Sequence, residues 1–169
     1  MTSRSGRAER RRRRRSIPVL LAALLAAGLA APAAHADNRR LNSSVVANVY
    51  TIQHQAGCTT NIKINPKLQL AAQRHTDDVL NDRALDGDIG SDGSTVQARA
   101  ATAGYSGVVA ETVAINPALA ISGIELLNQW YYNPAYLAIM RNCANAEIGV
   151  WSENNLDRTV VVAVYGQPT

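Results

Sequence analysis

Cysteine is scarce in this 169-residue chain, which has two, beside 11 glycines and 6 prolines. Two cysteines are too few for a disulfide-dense miniprotein or a four-cysteine zinc module. No stretch of about 20–50 residues recurs, which excludes a solenoid or propeller. Charged residues make up only 18% of the chain and hydrophobic ones 47%, too apolar a balance for a disordered polymer. A single globular domain remains.

The formal net charge of +4 points at first to an acidic partner, but its distribution removes that reading. Eight of the 17 basic residues (Arg4, Arg7, Arg10 and Arg11 through Arg15) lie in the first fifteen positions. An apolar run from Ile17 to Leu29 follows, then Pro32 and the triplet Ala34-His35-Ala36 before the polar Asp37. A basic block, an apolar run and an A-x-A triplet in that order predict a secretory signal peptide over residues 1–36. The alternative is an uncleaved anchor, which Pro32 and the small residues disfavour, so the membrane enters only through the signal segment before cleavage. Cleavage after Ala36 leaves one domain, residues 37–169, with nine basic and twelve acidic residues and a net charge of −3. No nucleic-acid partner is expected of such a chain, and its destination is the extracellular space or the cell envelope.

In an oxidising compartment Cys58 and Cys143, an isolated pair, read as one structural disulfide rather than as a thiol nucleophile. Along the mature chain, Leu41 to Ala56 reads as a helix starting near Ser43 or Ser44 and stopping at Gly57. A second helix is capped by Asn65 with Pro66 at its first position, and Leu68, Ala71, Ala72, His75 and Val79 fall on one apolar face. A Gly/Asp loop covers Asp86 to Gly93. Ser94 can cap a short helix through Ala103, and Val108 to Val113 is a candidate strand. Asn116-Pro117 predicts the start of a helix turning Ile124, Leu127, Trp130 and Tyr131 inward, broken at Asn133-Pro134 before a short turn through Met140. Glu147 to Ser152 and Thr159 to Tyr165 predict a hairpin about Asn154-Asn155, its second strand apolar on both faces and hence central. Helices first and an antiparallel sheet last predict an α+β fold.

Over about residues 44–166 the chain resembles the bacterial branch of the CAP superfamily, the secreted domains related to cysteine-rich secretory proteins, venom antigen 5 and plant pathogenesis-related proteins. The segments that carry the resemblance are, in order, Ala56-Gly57-Cys58, Asn65-Pro66-Lys67-Leu68 with Ala71-Ala72 and His75, and Gly90-Ser91-Asp92-Gly93-Ser94. Arg99, Gly104-Tyr105, Ala110-Glu111, Trp130 with Asn133-Pro134, Arg141-Asn142-Cys143 and Glu147-Ile148-Gly149-Val150 follow. The resemblance implies an α-β-α sandwich with a small antiparallel sheet between helices, and the cysteine pair is similar to that of many actinobacterial members. It also implies a cleft where two histidines face one or two acids and, in some members, hold a divalent metal. Here Asp88 stands in the place of the first histidine and Tyr136 in that of the second. Glu111 is retained, and Asn133 stands where some relatives have a second acid. With both imidazoles gone, no metal and no cofactor are expected.

Other chemistry is weaker. Asp86, Asp88 and Asp92 fail the calcium-loop pattern at three places, with Gly90, Ser91 and Gln97 at the fifth, sixth and twelfth positions. His75 reads as a hydrogen-bonded core histidine and His54 as a surface residue. Glu111, a carboxylate in an apolar strand, is either a site acid or the partner of Arg99. Trp130, Tyr131, Tyr132 and Tyr136 line a ligand groove or serve packing. Two function classes follow. One is a non-catalytic binding module for a lipid or other apolar small molecule, an envelope component or a host protein. The other is a weak, peptidase-like hydrolase using Glu111 with Asp88 or Tyr136.

Overall fold

The computed structural model describes Thr2 and residues 33–117 and 120–169, with side chains from Asn38 onward in the main body. The basic block and apolar run read as the export signal lie outside the described residues. Residues Pro32–Thr169 form one unit. Its elements are α1 (Ala33–Gln55), β1 (Lys63–Ile64), α2 (Pro66–Asn81), α3 (Val96–Thr102), β2 (Val108–Asn116), α4 (Gly123–Tyr131), α5 (Pro134–Arg141), β3 (Glu147–Asn154) and β4 (Thr159–Gln167).

Four strands form one sheet in the order β1-β3-β4-β2. β4 pairs antiparallel with both neighbours along its whole length, while β1 adds two residues parallel to β3, so the sheet is mixed at that edge. As expected of a central strand, β4 is buried on both faces. Val160, Val162 and Val164 pack against Leu68, Ala71, Ala72 and Ala100 of α2 and α3. Val161, Ala163 and Tyr165 pack against Val45, Val49, Leu126, Trp130 and Met140 of α1, α4 and α5. The period-two alternation of one strand thus divides the domain into two helix layers and makes the α-β-α sandwich.

Helix α2 follows its sequence signals closely. The Asn65 side chain accepts from Lys67 N at 2.9 Å, Pro66 occupies the first turn, and Leu68, Ala71, Ala72, His75 and Val79 are all fully buried. Cys58 and Cys143 are bonded to each other, with Cα atoms 5.2 Å apart, and close an 85-residue separation. In the chain-entropy account such a link stabilises the fold by about 4–5 kcal/mol.

Several boundaries differ from the sequence reading. Helix α1 begins at Ala33, about ten residues before the expected cap, because its polar residues are used in tertiary contacts: Ser152 Oγ donates to Asn42 Oδ1 at 2.7 Å and to Asn38 O at 3.3 Å. Strand β2 runs on through Asn116, paired with Thr159, and the helix expected from Pro117 starts instead at Gly123, where Ser122 Oγ accepts from Glu125 N. That shift sets α4's inward face as Leu126 and Trp130, both fully buried, and leaves Ile124 and Tyr131 exposed, contrary to expectation. The turn expected after Asn133-Pro134 is a full helix, α5. On α3 the cap is Thr95 rather than Ser94, whose oxygens are taken by Arg99.

Gly149 sets how closely α2 can lie on β3. A Cβ there would fall 2.0 Å from Gln69 N and 2.1 Å from Leu68 C, backbone atoms that cannot swing aside. Gly149→Ala should therefore force α2 off the sheet and cost at least about 2–3 kcal/mol. Urea unfolding followed by far-UV dichroism measures this, and an unchanged midpoint would contradict so close an approach of α2 to β3.

Candidate functional site

Glu111 occupies the middle of β2, the edge strand, and points to the α2/α3 layer, where it is 5% exposed. A carboxylate placed so deep needs donors. Arg99, in the last turn of α3 and itself 7% exposed, supplies one: its Nη2 donates to Glu111 Oε1 at 2.7 Å. Of the two readings left open for Glu111, the ion pair with Arg99 is formed. The same guanidinium gathers the loop between α2 and α3, Nη2 donating to Asp88 O at 2.7 Å and Nη1 to Ser94 O at 2.7 Å.

His75 completes the knot from α2. It is fully buried, as expected of a core histidine, and its Nε2 lies 3.0 Å from Gly87 O and 3.7 Å from Glu111 Oε1. A carbonyl only accepts, so Nε2 carries the proton and Nδ1 is the bare nitrogen. Nδ1 and Glu111 Oε2 are buried with no hydrogen-bond partner among the described residues. Burial lowers the His75 pKa from its usual range, and the neighbouring Arg99 charge adds to the effect. Burial pushes Glu111 up to about 8; Arg99 opposes the rise and the charge of Asp88 adds to it.

Asp88, Glu111 and Tyr136, the three candidate catalytic residues, lie close enough for the two acids' charges to act on the tyrosine. Burial raises the Tyr136 pKa, the Val113 backbone amide counters this by hydrogen-bonding to it, and the charges of Asp88 and Glu111 raise it further. Asn133 is spent on the backbone: its Oδ1 accepts from Ala135 N and Tyr136 N and caps α5. None of the three candidates lines any of four cavities traced among the described residues. The donors do not fit the metal that the resemblance implies, because the positions it assigns to imidazoles are Asp88 and Tyr136 and the Glu111 carboxylate is engaged by Arg99. No group of three or more histidine, cysteine, aspartate or glutamate side chains converges as a metal site among the described residues.

The Gly/Asp loop is a braced turn. Asp78 of α2 accepts from Ser91 N at 2.8 Å and Ser91 Oγ at 2.6 Å, and Asp92 Oδ1 accepts from Ser94 N. His54 is at the surface, against Tyr50 and Asn61. Among the aromatics Trp130 is core, whereas Tyr131 and Tyr132 form an edge-on pair at the surface.

One feature that sequence reasoning missed is a cavity of about 420 Å³ on the opposite sheet edge. It lies between α1 (Asn38, Asn42, Ser43, Val46), Ile64 of β1, Gln69 of α2 and residues 150–153 of β3. The only signal for it in the sequence is the spacing of Asn38, Asn42 and Val46 at i, i+4 and i+8, which aligns them along one helix face.

These groups set opposite pH dependences. Glu111 has a raised pKa in the fold, so its contribution to stability is present below its ordinary value near 4.5 and is lost as pH rises toward about 8. His75 has a lowered pKa, so its contribution is present above about 6.5 and is lost on acidification. Above pH 6.5 stability should fall toward pH 8 with a slope of at most about 1.4 kcal/mol per pH unit, and Glu111→Gln should flatten that limb. Chemical denaturation across this range measures it, and an unchanged slope in the variant would rule out Glu111 as the source.

No family model matches the sequence, and no curated protein matches it. Solved structures do. An outer surface protein from Borrelia burgdorferi superimposes with a TM-score of 0.68 at 14% identity, over 79% of this chain and 96% of its own. An extracellular protein containing an SCP domain from Bacillus anthracis gives 0.69 at 12% identity over 83% of this chain, and a cysteine-rich secretory protein from Staphylococcus aureus gives 0.60 at 13% over 77%. The match spans 45% and 39% of those two longer chains. With five helices laid on both faces of a four-stranded sheet and these structural neighbours, the chain has the α-β-α fold of the CAP superfamily, that of the SCP domains.

Proposed function

We propose that this is an exported, non-catalytic binding module, matured by cleavage after Ala36, whose ancestral cleft serves as a structural brace. The observation that carries this reading is the Arg99–Glu111 pair at 2.7 Å. A hydrolytic base needs a carboxylate or imidazole free to take a proton from water within hydrogen-bond reach. Glu111 Oε1 is held by Arg99, His75 Nε2 is turned to Gly87 O, and the remaining atoms, Glu111 Oε2 and His75 Nδ1, are buried away from water. Export is supported by the signal-like N-terminus and by the neighbours described as outer-surface and extracellular proteins. The partner is an apolar small molecule, an envelope component or a host protein. A partly apolar cavity of about 420 Å³ is in the usual size range for ligand sites.

The mature protein, incubated with a quenched-fluorescent peptide library, should give no turnover above buffer, and solubilised envelope passed over it should leave a retained component. Turnover that disappears in Glu111→Gln would establish the hydrolase instead. Zinc provides a second check. Wild type should bind it no more tightly than an unrelated acidic surface does, whereas Asp88→His combined with Tyr136→His should gain at least about tenfold in affinity, because two imidazoles with a neighbouring carboxylate make a competent zinc site. Calorimetry on the wild type, both single variants and the double variant decides it. Tight wild-type binding would overturn the reading of a lost site.

A further inference from the structure

The 420 Å³ cavity beside β3 mixes two kinds of lining. Val46 of α1, Ile64 of β1 and Trp151 of β3 give it an apolar floor, and Ile64 is 61% exposed. Arg39, Asn42 and Ser43 of α1, Gln69 of α2 and Glu153 of β3 give it a polar rim. Part of that rim is fixed by the fold. Ser152 Oγ donates to Asn42 Oδ1 at 2.7 Å, and Asn38 Nδ2 donates to Glu153 Oε2 at 3.4 Å, which leaves the Asn42 amide nitrogen and Glu153 Oε1 turned to other uses. Among the described residues the Gln69 amide, the Ser43 hydroxyl and the Arg39 guanidinium form no hydrogen bond or ion pair. Donors and acceptors thus alternate around one concavity.

These groups decide the chemistry of a guest. An acyl chain would cover an arginine, a carboxylate and two amides without bonding to any of them, at a cost for each group left unpaired. An anion is opposed by Glu153 and a cation by Arg39, so the rim is electrically balanced. What fits is a neutral ligand whose hydroxyls both donate and accept, on a body with an apolar face. A sugar ring has that composition, with hydroxyls around its edge and C–H groups across its face.

We infer that this cavity is a saccharide site, taking a short neutral stretch of an envelope glycan. The proposal rests on the binding-module reading and names the chemistry of its partner. One ring lays its C–H face on the floor, while its hydroxyls accept from the Arg39 guanidinium and the Asn42 and Gln69 amides and donate to Glu153. The glycan continues over Ser43 onto the shallow depression of about 550 Å³ that Arg39 and Ser43 share with Arg40 and Ser44. Asn38 stands at the α1 end of the cavity, and maturation after Ala36 leaves only Asp37 ahead of it.

The isotope-labelled mature protein is titrated with cellobiose, maltose, mannobiose and N,N′-diacetylchitobiose, with affinity read by calorimetry and location by amide NMR shifts. At least one should bind at about 1 mM or tighter and shift the amides of Ser43, Val46, Gln69 and Trp151 while leaving that of Glu111 unmoved. Gln69→Ala, which removes a hydrogen-bonding amide, should weaken binding by about fivefold, and Ser43→Phe, which fills the cavity from an exposed position, by about tenfold or more. The amide spectrum of each variant reports whether the fold is kept. Laurate and glycine betaine, an apolar and a zwitterionic probe, should not displace the sugar. No binding of any disaccharide, binding that both folded variants leave unchanged, or displacement by laurate or betaine would overturn the assignment. Peptide turnover and capture of an envelope component are separate measurements. If a component is retained and no peptide is cleaved while every disaccharide fails, the saccharide inference falls alone and the binding-module reading stands.

Discussion

The guanidinium of Arg99 is the group around which one half of the molecule is organised. Removing such a charge from water is costly, and the cost is offset only where hydrogen-bond acceptors surround it. Here those acceptors come from three places that are far apart in the fold's wiring: a carbonyl on either side of the loop between α2 and α3, and a carboxylate in the edge strand β2. Loss of Arg99 would leave Glu111 buried without its cation and two loop carbonyls without donors. The pair is therefore better understood as fixing where the loop lies than as a source of net stability.

That choice has a functional consequence. The sequence resemblance implies a cleft with paired imidazoles in this region and assigns those places to Asp88 and Tyr136; in the structure Arg99 holds the Glu111 carboxylate inside the α2/α3 layer. Tyr136 turns its hydroxyl to the backbone of Val113, and Asn133 closes the first turn of α5. Arg99, Asn133 and Tyr136 thus each hold an element in position. His75, with its proton on the nitrogen facing Gly87, is committed in the same way.

The opposite edge is covered differently. β4 is protected on both sides by partner strands and β2 is covered where Tyr136 reaches its backbone, whereas among the described residues β3 has two residues of β1 beside it. Gly149 lets α2 lie against β3, and Asn38 and Asn42 draw α1 toward Ser152, so two helices close over the strand. An unpaired edge is ordinarily a liability that proteins cover or charge. Here the edge is covered, with Val150 and Ser152 only 3% and 1% exposed.

What the sequence determined by itself is what depends on near neighbours. The Asn65-Pro66 cap and the 3.6-residue spacing through Val79 specify α2; the hairpin about Asn154-Asn155 and the unbroken apolar run of β4 specify a central strand; two cysteines permit only one internal pairing. Local signals failed where distant groups competed for the same atoms. The first helix reads as starting near Ser43 or Ser44, but Ser152 binds Asn38 and Asn42 ahead of that point, and the Asn116-Pro117 start yields because β4 extends the strand through Asn116 and Ser122 offers a later cap. Glu111 announced itself as a carboxylate in an apolar strand, but whether it served a site or an arginine depended on Arg99 arriving from another helix. The cavity beside β3 left almost no trace in the sequence, because a cavity belongs to no residue: it exists only in the spacing that tertiary packing sets between α1, α2 and the strand.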